Sequence, residues 1–195
     1  MVYATREITH GSEQVAYSGA TGTVTFATGV QKFAPSNDTS QKTIYADATN
    51  HMVLNNPATL TIEQANLQYS DEELAQSGHV KVNGGFVDGG AHASFDVCRI
   101  MTVQDENGKE TPLLEVYYNV SATDYTESDD EDEDEINPKV YTRTLTVKGR
   151  SMTTLDGATQ NVKQFRIERT DENATIFDTY KTTILEPDAF KAVTP

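Results

Sequence analysis

One stretch of the chain leaves little choice of structure. Residues 93–123, ASFDVCRIMTVQDENGKETPLLEVYYNVSAT, alternate apolar and polar side chains on both sides of Asn107-Gly108. A period of two puts every second side chain on one face of a strand. Asn-Gly supplies the positive φ angles of a tight primed turn. The segment therefore predicts a long β-hairpin, with Phe95, Val97 and Met101 on one face of the first strand. Leu114, Val116, Tyr118 and Val120 share one face of the second. A lone two-stranded hairpin is marginal in water, so the rest of the chain has to supply further strands.

It does. With 27 threonines and 16 valines the composition favours extended structure. TGTVTFATGVQKF (21–33), KTIYAD (42–47), PATLTIEQA (57–65) and PKVYTRTLTVKG (138–149) all read as strands. In the third, Leu60 and Ile62 oppose Thr59, Thr61 and Glu63; in the fourth, Tyr141, Leu145 and Val147 share a side. VKQFRIERTDENATIFDTYKTTIL (162–185) reads as a last hairpin turning at Asp171 to Asn173. SDEELAQSG (70–78) is a short helix: Ser70 caps it, Glu73 reaches back to the cap, and Gly78 stops it. At barely two turns the helix cannot stand alone, so Leu74 packs on a sheet. VNGGFVDGG (82–90) is a pair of turns, because it lacks both the dinucleotide-binding spacing and the lysine of a phosphate loop. From these residues the expected fold is mainly β with one short helix.

Charge narrows the function. The 195 residues carry a formal charge of −15, which disfavours a protein that grips phosphates. Eight of the nine residues from Glu127 to Glu135 are acidic, in the sequence TESDDEDEDEINP (126–138). This loop joins two long strands and reads as a solvated charge run. It lacks the spaced glycine and alternating ligands of a calcium loop, so no metal site is assigned. His10, His51, His79 and His92 have no ligand spacing, and HExxH, CxxC, GxSxG and P-loop motifs are missing. No catalytic residue and no cofactor are expected. Cys98 is a small packed hydrophobe in a strand. MVYATREITH does not resemble a signal peptide, and no apolar run has the length of a membrane span, so the expected setting is a reducing cytoplasm with no membrane contact.

From the residues alone the reading ends at an acidic β-rich domain. The order of its pieces is familiar, however. KTIYADATNHM, LTIEQANLQYSDEELAQSGHV, GGFVDGG, the long hairpin, the acidic insert and VYTRTLTVKGRSM together resemble the major tail protein, or tail tube protein, of long-tailed bacteriophages with non-contractile tails. The likeness spans most of 21–151. It implies a β-sandwich with one short flanking helix and extended loops or arms, divided into an N-terminal arm (1–20), a tail-tube sandwich (21–151, with the acidic loop 126–138) and a C-terminal hairpin or arm (152–195).

It also implies a structural virion protein whose hexameric rings stack into the conduit for genome delivery. Its partners would be itself and the tape-measure, tail-tip and tail-terminator proteins. DNA would pass without specific binding, and assembly would take place in the host cytoplasm. A modest core, with 36% hydrophobic residues and no Trp, suits a subunit completed by its neighbours. The connection 46–56 is the candidate ring-to-ring loop, with Asp47, Asn50, His51, Met52 and Leu54 as its assembly residues. Asp129, Asp130, Glu131, Asp132, Glu133, Asp134 and Glu135 are expected at a channel mouth or ring edge, repelling DNA and meeting Lys139, Arg143 or Lys148 of an adjacent subunit. The alternative is a non-catalytic β-sandwich that recognises a saccharide or protein, for which Tyr17, Tyr69 and Tyr125 would be the exposed aromatics.

Overall fold

The computed structural model of the chain describes residues 6–8, 15–18, 24–27, 29–36, 41–46, 49–55, 58–65, 71–105, 107–128, 139–153 and 157–193. In chain order the strands are β1 (Arg6–Ile8), β2 (Val15–Ser18), β3 (Val24–Phe26), β4 (Val30–Ser36), β5 (Gln41–Ala46), β6 (Thr49–Asn55), β7 (Ala58–Ala65), β8 (His79–Val82) and β9 (Gly85–Asp88). They continue as β10 (Phe95–Gln104), β11 (Glu110–Ser128), β12 (Val140–Val147), β13 (Arg150–Thr153), β14 (Thr159–Val162) and β15 (Gln164–Glu168). Two short helices, α1 (Asp71–Gln76) and α2 (Ala174–Phe177), and 3-10 turns at Asp178–Lys181 and Pro187–Val193 complete the described elements. Nine strands form the main sheet in the order β3-β2-β10-β11-β12-β7-β4, with β1 also on β10 and β15 also on β11. Every pairing within it is antiparallel.

Two bends fold this sheet into a sandwich. The first lies within β11, which is 19 residues long. Asn119 adopts a left-handed φ of 50°, and the register to β10 jumps from Phe95↔Val120 to Val97↔Tyr117. Asparagine is among the few non-glycine residues that tolerate this conformation. Three of its groups are used: Asp96 Oδ1 accepts the Asn119 N–H at 2.7 Å, and Asn119 Nδ2 donates to the Gly149 carbonyl at 3.0 Å. The Asn119 carbonyl accepts from Lys148 N–H at 3.2 Å. Before the bend β11 pairs with β10 and β15, and after it with β12.

The second bend separates β3 from β4, which the sequence suggested was one strand. Ala27 N–H still bonds to Val15 in β2, whereas Gly29 O accepts from Ala65 at the end of β7, each at 2.8 Å. One run of chain thus passes from the edge of one layer to the edge of the other, as corner strands do. Gly29 is required there, because its φ is +71° and a Cβ would lie 2.1 Å from the Ala65 carbonyl oxygen.

The core sits on both sides of the inner strands. Between the layers lie Val15, Phe95, Val97 and Tyr117 from one sheet half and Leu60, Ile62, Leu145 and Val147 from the other, joined by Val120, Ala122 and Phe33. Phe33 and Tyr117 rings meet across the gap at 5.8 Å. On the opposite face of β10 and β11, Cys98, Leu114, Val116 and Tyr118 are covered by Met152, Phe177, Leu185 and Phe190. The Tyr118 hydroxyl donates to the Leu185 carbonyl at 2.5 Å. Burial pushes its phenol pKa up, so it stays a donor.

Several expectations are corrected. Val120 does not share the face of Leu114, Val116 and Tyr118; the extra residue at Asn119 moves it into the inter-layer core. The turn after β10 is not a primed Asn-Gly pair, since only Gly108 has positive φ. There Asp105 Oδ1 instead accepts the N–H groups of Asn107 and Lys109 at 2.9 and 2.8 Å. The primed geometry occurs at Asn83-Gly84, with φ of 41° and 87°, joining β8 to β9. The second half of the expected C-terminal hairpin is helical. Asn173 receives the Thr170 N–H and donates to the Glu168 carbonyl, both at 2.8 Å, which turns the chain into α2. Ile176, Phe177, Tyr180 and Ile184 then face the sheet at helical spacing.

Replacing Asn119 by Val should lower unfolding free energy by about 2 kcal/mol through the left-handed φ and the lost bond to Gly149. Asn119→Gly keeps the φ and should cost about 1 kcal/mol. Urea melts that rank the two variants the other way would show that the bend does not depend on this conformation.

Candidate functional site

The elements expected to serve assembly stand apart from the core. Among the described residues β5 and β6 pair only with each other, as a hairpin outside the main sheet. The connection 46–56, expected as a loop, is strand over its described part, Thr49–Asn55. Asn50, Met52 and Leu54 occupy alternate positions of β6, opposite Tyr45, Ile44 and Lys42. The register slips between Ile44↔Met52 and Tyr45↔Asn50, which leaves His51 as the extra residue of a bulge. Asp47 lies outside the described residues.

The acidic run falls in the chain between β11 and β12, which pair with each other. β11 continues through Thr126–Ser128, and Ser128 pairs with Val140. Asp129 to Glu135 lie outside the described residues, as does Ser70. Of the cations suggested to meet the run, Lys148 is exposed and Lys139 lies 5.8 Å from the Tyr141 ring. Arg143 is fully buried, so it is not available to an adjacent subunit. Its Nη1 and Nη2 donate to Gln76 Oε1 and Gln64 Oε1, both at 2.9 Å, and Gln64 donates on to Glu73 Oε1 at 3.2 Å. This network fastens α1 to β7 and β12. Glu73, placed in the sequence reading at the helix cap, is buried within it, as Leu74 is beneath the same helix. Gly78, with φ +76°, ends the helix.

The sequence reading missed a second buried charge. Glu115 is wholly buried on β11, opposite Arg99 of β10 and Arg166 of β15. Arg99 Nε lies 2.5 Å and Arg166 Nε 2.7 Å from its two oxygens, and Gln164 also donates to it. The Arg99 guanidinium rests over the Phe33 ring at 4.5 Å, tying this ladder to β4. Burial alone would raise the Glu115 pKa; the Arg99 charge and the hydrogen bonds from Arg166 and Arg99 outweigh it and hold the pKa below 4.5. The signal in the sequence is a single acid inside the otherwise apolar LLEVYY. A third cluster closes the outer core. Arg150 Nη2 meets Asp96 at 2.9 Å and Glu186 at 2.8 Å and lies over the Tyr118 ring.

The layer β11-β12-β7-β4 presents a distinctive outer surface. Along β12, Thr142, Thr144 and Thr146 alternate with buried residues, and Thr59, Thr61 and Glu63 do so along β7. Glu63 is paired with Lys32 of β4 at 2.5 Å. The layer is thus faced largely by threonine hydroxyls. Among the described residues, no group of three or more His, Cys, Asp or Glu is placed to hold a metal ion.

The family model described as phage tail tube protein matches residues 1–193. The chain belongs to that family. As a tail tube protein it is a structural component of the virion tail. No curated protein matches it. Among solved structures it is similar to the anti-feeding prophage tube-terminating cap, with 11% identity over 87% of this chain and 96% of that one and a TM-score of 0.43. A chain of the extracellular contractile injection system sheath-tube complex matches with 14% identity, 77% and 90% coverage and a TM-score of 0.39. Hcp1 from Flavobacterium johnsoniae matches with 12% identity, 76% and 99% coverage and a TM-score of 0.35. The family assignment of the tail tube protein rests on the family model, not on these likenesses.

In this tail tube protein the Glu115 ladder predicts a pH-dependent stability. A carboxyl whose folded pKa is depressed contributes stability above its unfolded pKa, and the contribution is lost as the pH falls through the folded value. Glu115→Gln should cost about 3 kcal/mol near pH 7 by leaving Arg99 uncompensated. The gap to wild type should shrink on acidification below 4.5, the ordinary value for this carboxyl. Denaturant melts showing a gap independent of pH would refute this assignment.

Proposed function

We propose that the protein builds the tail tube as stacked six-membered rings, in which the layer β11-β12-β7-β4 joins its counterparts into a continuous wall around the channel. The observation that carries this reading is the layer itself. Beyond Val120, β11 pairs only with β12, and β4 pairs only with β7, among the described residues. Both outer edges are therefore available to neighbours, and joining them in a ring protects edges that would otherwise invite uncontrolled pairing. The threonine face suits a wall past which DNA moves: it offers hydroxyls, and its Lys32 is already paired with Glu63. Phosphate-binding cations would hold the genome by counterion release, and a neutral or negative wall avoids that.

In this arrangement the acidic run, at the tip of the β11–β12 hairpin, lies at the rim of the wall. Charges in such a run repel mainly within about 8 Å at physiological salt, so a rim position where they can spread is favoured over a crowded one. The β5–β6 hairpin projects to the next ring and carries Asn50, His51, Met52 and Leu54 into the contact. Rings assemble in the host cytoplasm around a tape-measure protein, between tail-tip and terminator proteins, and DNA passes without specific binding.

Electron microscopy and light scattering of the purified protein test the assembly. Rings or tubes are expected at high concentration, and replacing the β5–β6 hairpin by a tight turn should leave rings and abolish stacking. A 21.4 kDa monomer under all salt and protein concentrations would overturn the reading, and tubes of normal length from the shortened variant would remove the hairpin's role.

Neutralising Asp129, Asp130, Glu131, Asp132, Glu133, Asp134 and Glu135 with Ser and Asn should leave monomer stability within about 0.5 kcal/mol of wild type. It should also flatten the salt dependence of assembly. A large loss of monomer stability would mean the run is part of the folded body.

A further inference from the structure

The two sheet layers differ in how a second copy can extend them. β11, β12, β7 and β4 are joined by three antiparallel pairings, so β11 and β4, at the two borders of their layer, run in opposite directions. In the other layer four antiparallel pairings separate β3 from β15, so those borders run the same way. Rotation about an axis keeps each strand's sense along that axis. A neighbour in a ring therefore brings its β11 antiparallel to β4, the pairing used throughout this sheet. It would bring β15 parallel to β3, the weaker pattern per residue. The strand directions thus name the occupant of the β4 border as the β11 of a second copy.

That border is narrow. Ala65 N–H bonds to the Gly29 carbonyl at 2.8 Å, so position 65 of β7 turns its backbone groups toward β4. Bonded and non-bonded positions alternate along an antiparallel pair. Glu63, Thr61 and Thr59 therefore bond across to Lys32, Ala34 and Ser36, while Phe33 and Pro35, opposite Ile62 and Leu60, direct their backbone groups outward. On one side, the register shift between Val30 and Lys32 makes Gln31 a bulge. On the other, Pro35 has no N–H to offer, and an outward-facing edge position is where a sheet tolerates proline. Within Lys32–Ser36, Phe33 alone presents both a donor and an acceptor on the border. A neighbour that slipped by two residues would keep every side chain on its proper face, so the apolar pattern does not forbid the slip. The missing donor at Pro35 disfavours it. We propose that the junction between neighbouring copies is centred on Phe33 and that Pro35 fixes its register. The proposal rests on the ring reading above, and the experiment separates the two.

Amide hydrogen exchange of the full-length chain is followed residue by residue, by fragmentation mass spectrometry, in the monomer and in assembled rings. In parallel, Pro35→Thr, which restores an N–H and suits a strand, is examined by sedimentation velocity and electron microscopy. In the monomer the Phe33 amide should exchange fast beside a slow Ala34, and on ring formation it should slow by about tenfold or more. The threonine variant should keep the wild-type thermal melt as a monomer. Its new N–H should raise the slipped register about fivefold relative to the native one. Because stagger and diameter are linked in a closed sheet, rings of more than one diameter, or open ribbons, should then appear. Rings in which Phe33 still exchanges fast would overturn the junction and leave the ring reading intact. Uniform rings of wild-type diameter from Pro35→Thr would overturn the role of Pro35. A Phe33 amide already protected in the monomer would overturn the geometry of the border. A wild-type chain that never assembles would sink both proposals.

Discussion

A single left-handed residue holds the architecture together. Asn119 inserts one extra position into the longest strand, and that shift of phase sends Val120 and Ala122 to the inter-layer core while Leu114, Val116 and Tyr118 serve the other. Without it, an ideal strand of 19 residues would keep one parity throughout. Either the inner or the outer core would then receive polar side chains over half its length. The Asp96 carboxylate that accepts the Asn119 N–H also binds Arg150, which in turn holds Glu186 near the C-terminal 3-10 turn. The bend, the outer core and the C-terminal segment are therefore coupled through one carboxylate.

The bend also explains what the sequence did and did not disclose. Period-two alternation located the strands around Asn107-Gly108 and the buried faces of β7 and β12, because a half-buried strand has to be written that way. It could not disclose the phase shift, since Asn119 interrupts the pattern by one residue and looks like an ordinary polar position. The C-terminal segment was misread for a related reason. Its apolar residues Ile176, Phe177, Tyr180 and Ile184 have helical spacing, but Thr, Asp and Asn around them suggested turns and strands. The decisive element is the pair of bonds made by the Asn173 amide, a tertiary detail with no periodic signature.

The elements proposed to serve assembly were legible to different degrees. The acidic run was expected as a loop joining two long strands; its first residues, Glu127 and Ser128, pair within β11 opposite Tyr141 and Val140. KTIYAD was expected as a strand, as β5 is, but the segment that forms β6 was expected as a connecting loop, since polar residues such as Asn50 and Asn55 obscure alternation; pairing between β5 and β6 overrides that weak preference. The buried Arg143 was taken for a surface cation. Its parity with Tyr141, Leu145 and Val147 already assigns it to the buried side of the strand, and its charge alone suggested the surface.

The Gly29 corner bears on how the chain reaches its fold. β10 and β11 meet across a short turn, so they close at little entropic cost, whereas β3 and β4 must bring β2 and the distant β7 together around the whole body. The corner is thus the natural final stitch of folding. Until it is made, the chain is an open strip with two unsatisfied borders, able to pair with another open strip as readily as with itself. The closure admits no side chain at position 29, where a Cβ would meet the Ala65 carbonyl oxygen, so any larger residue there would hold the two borders apart.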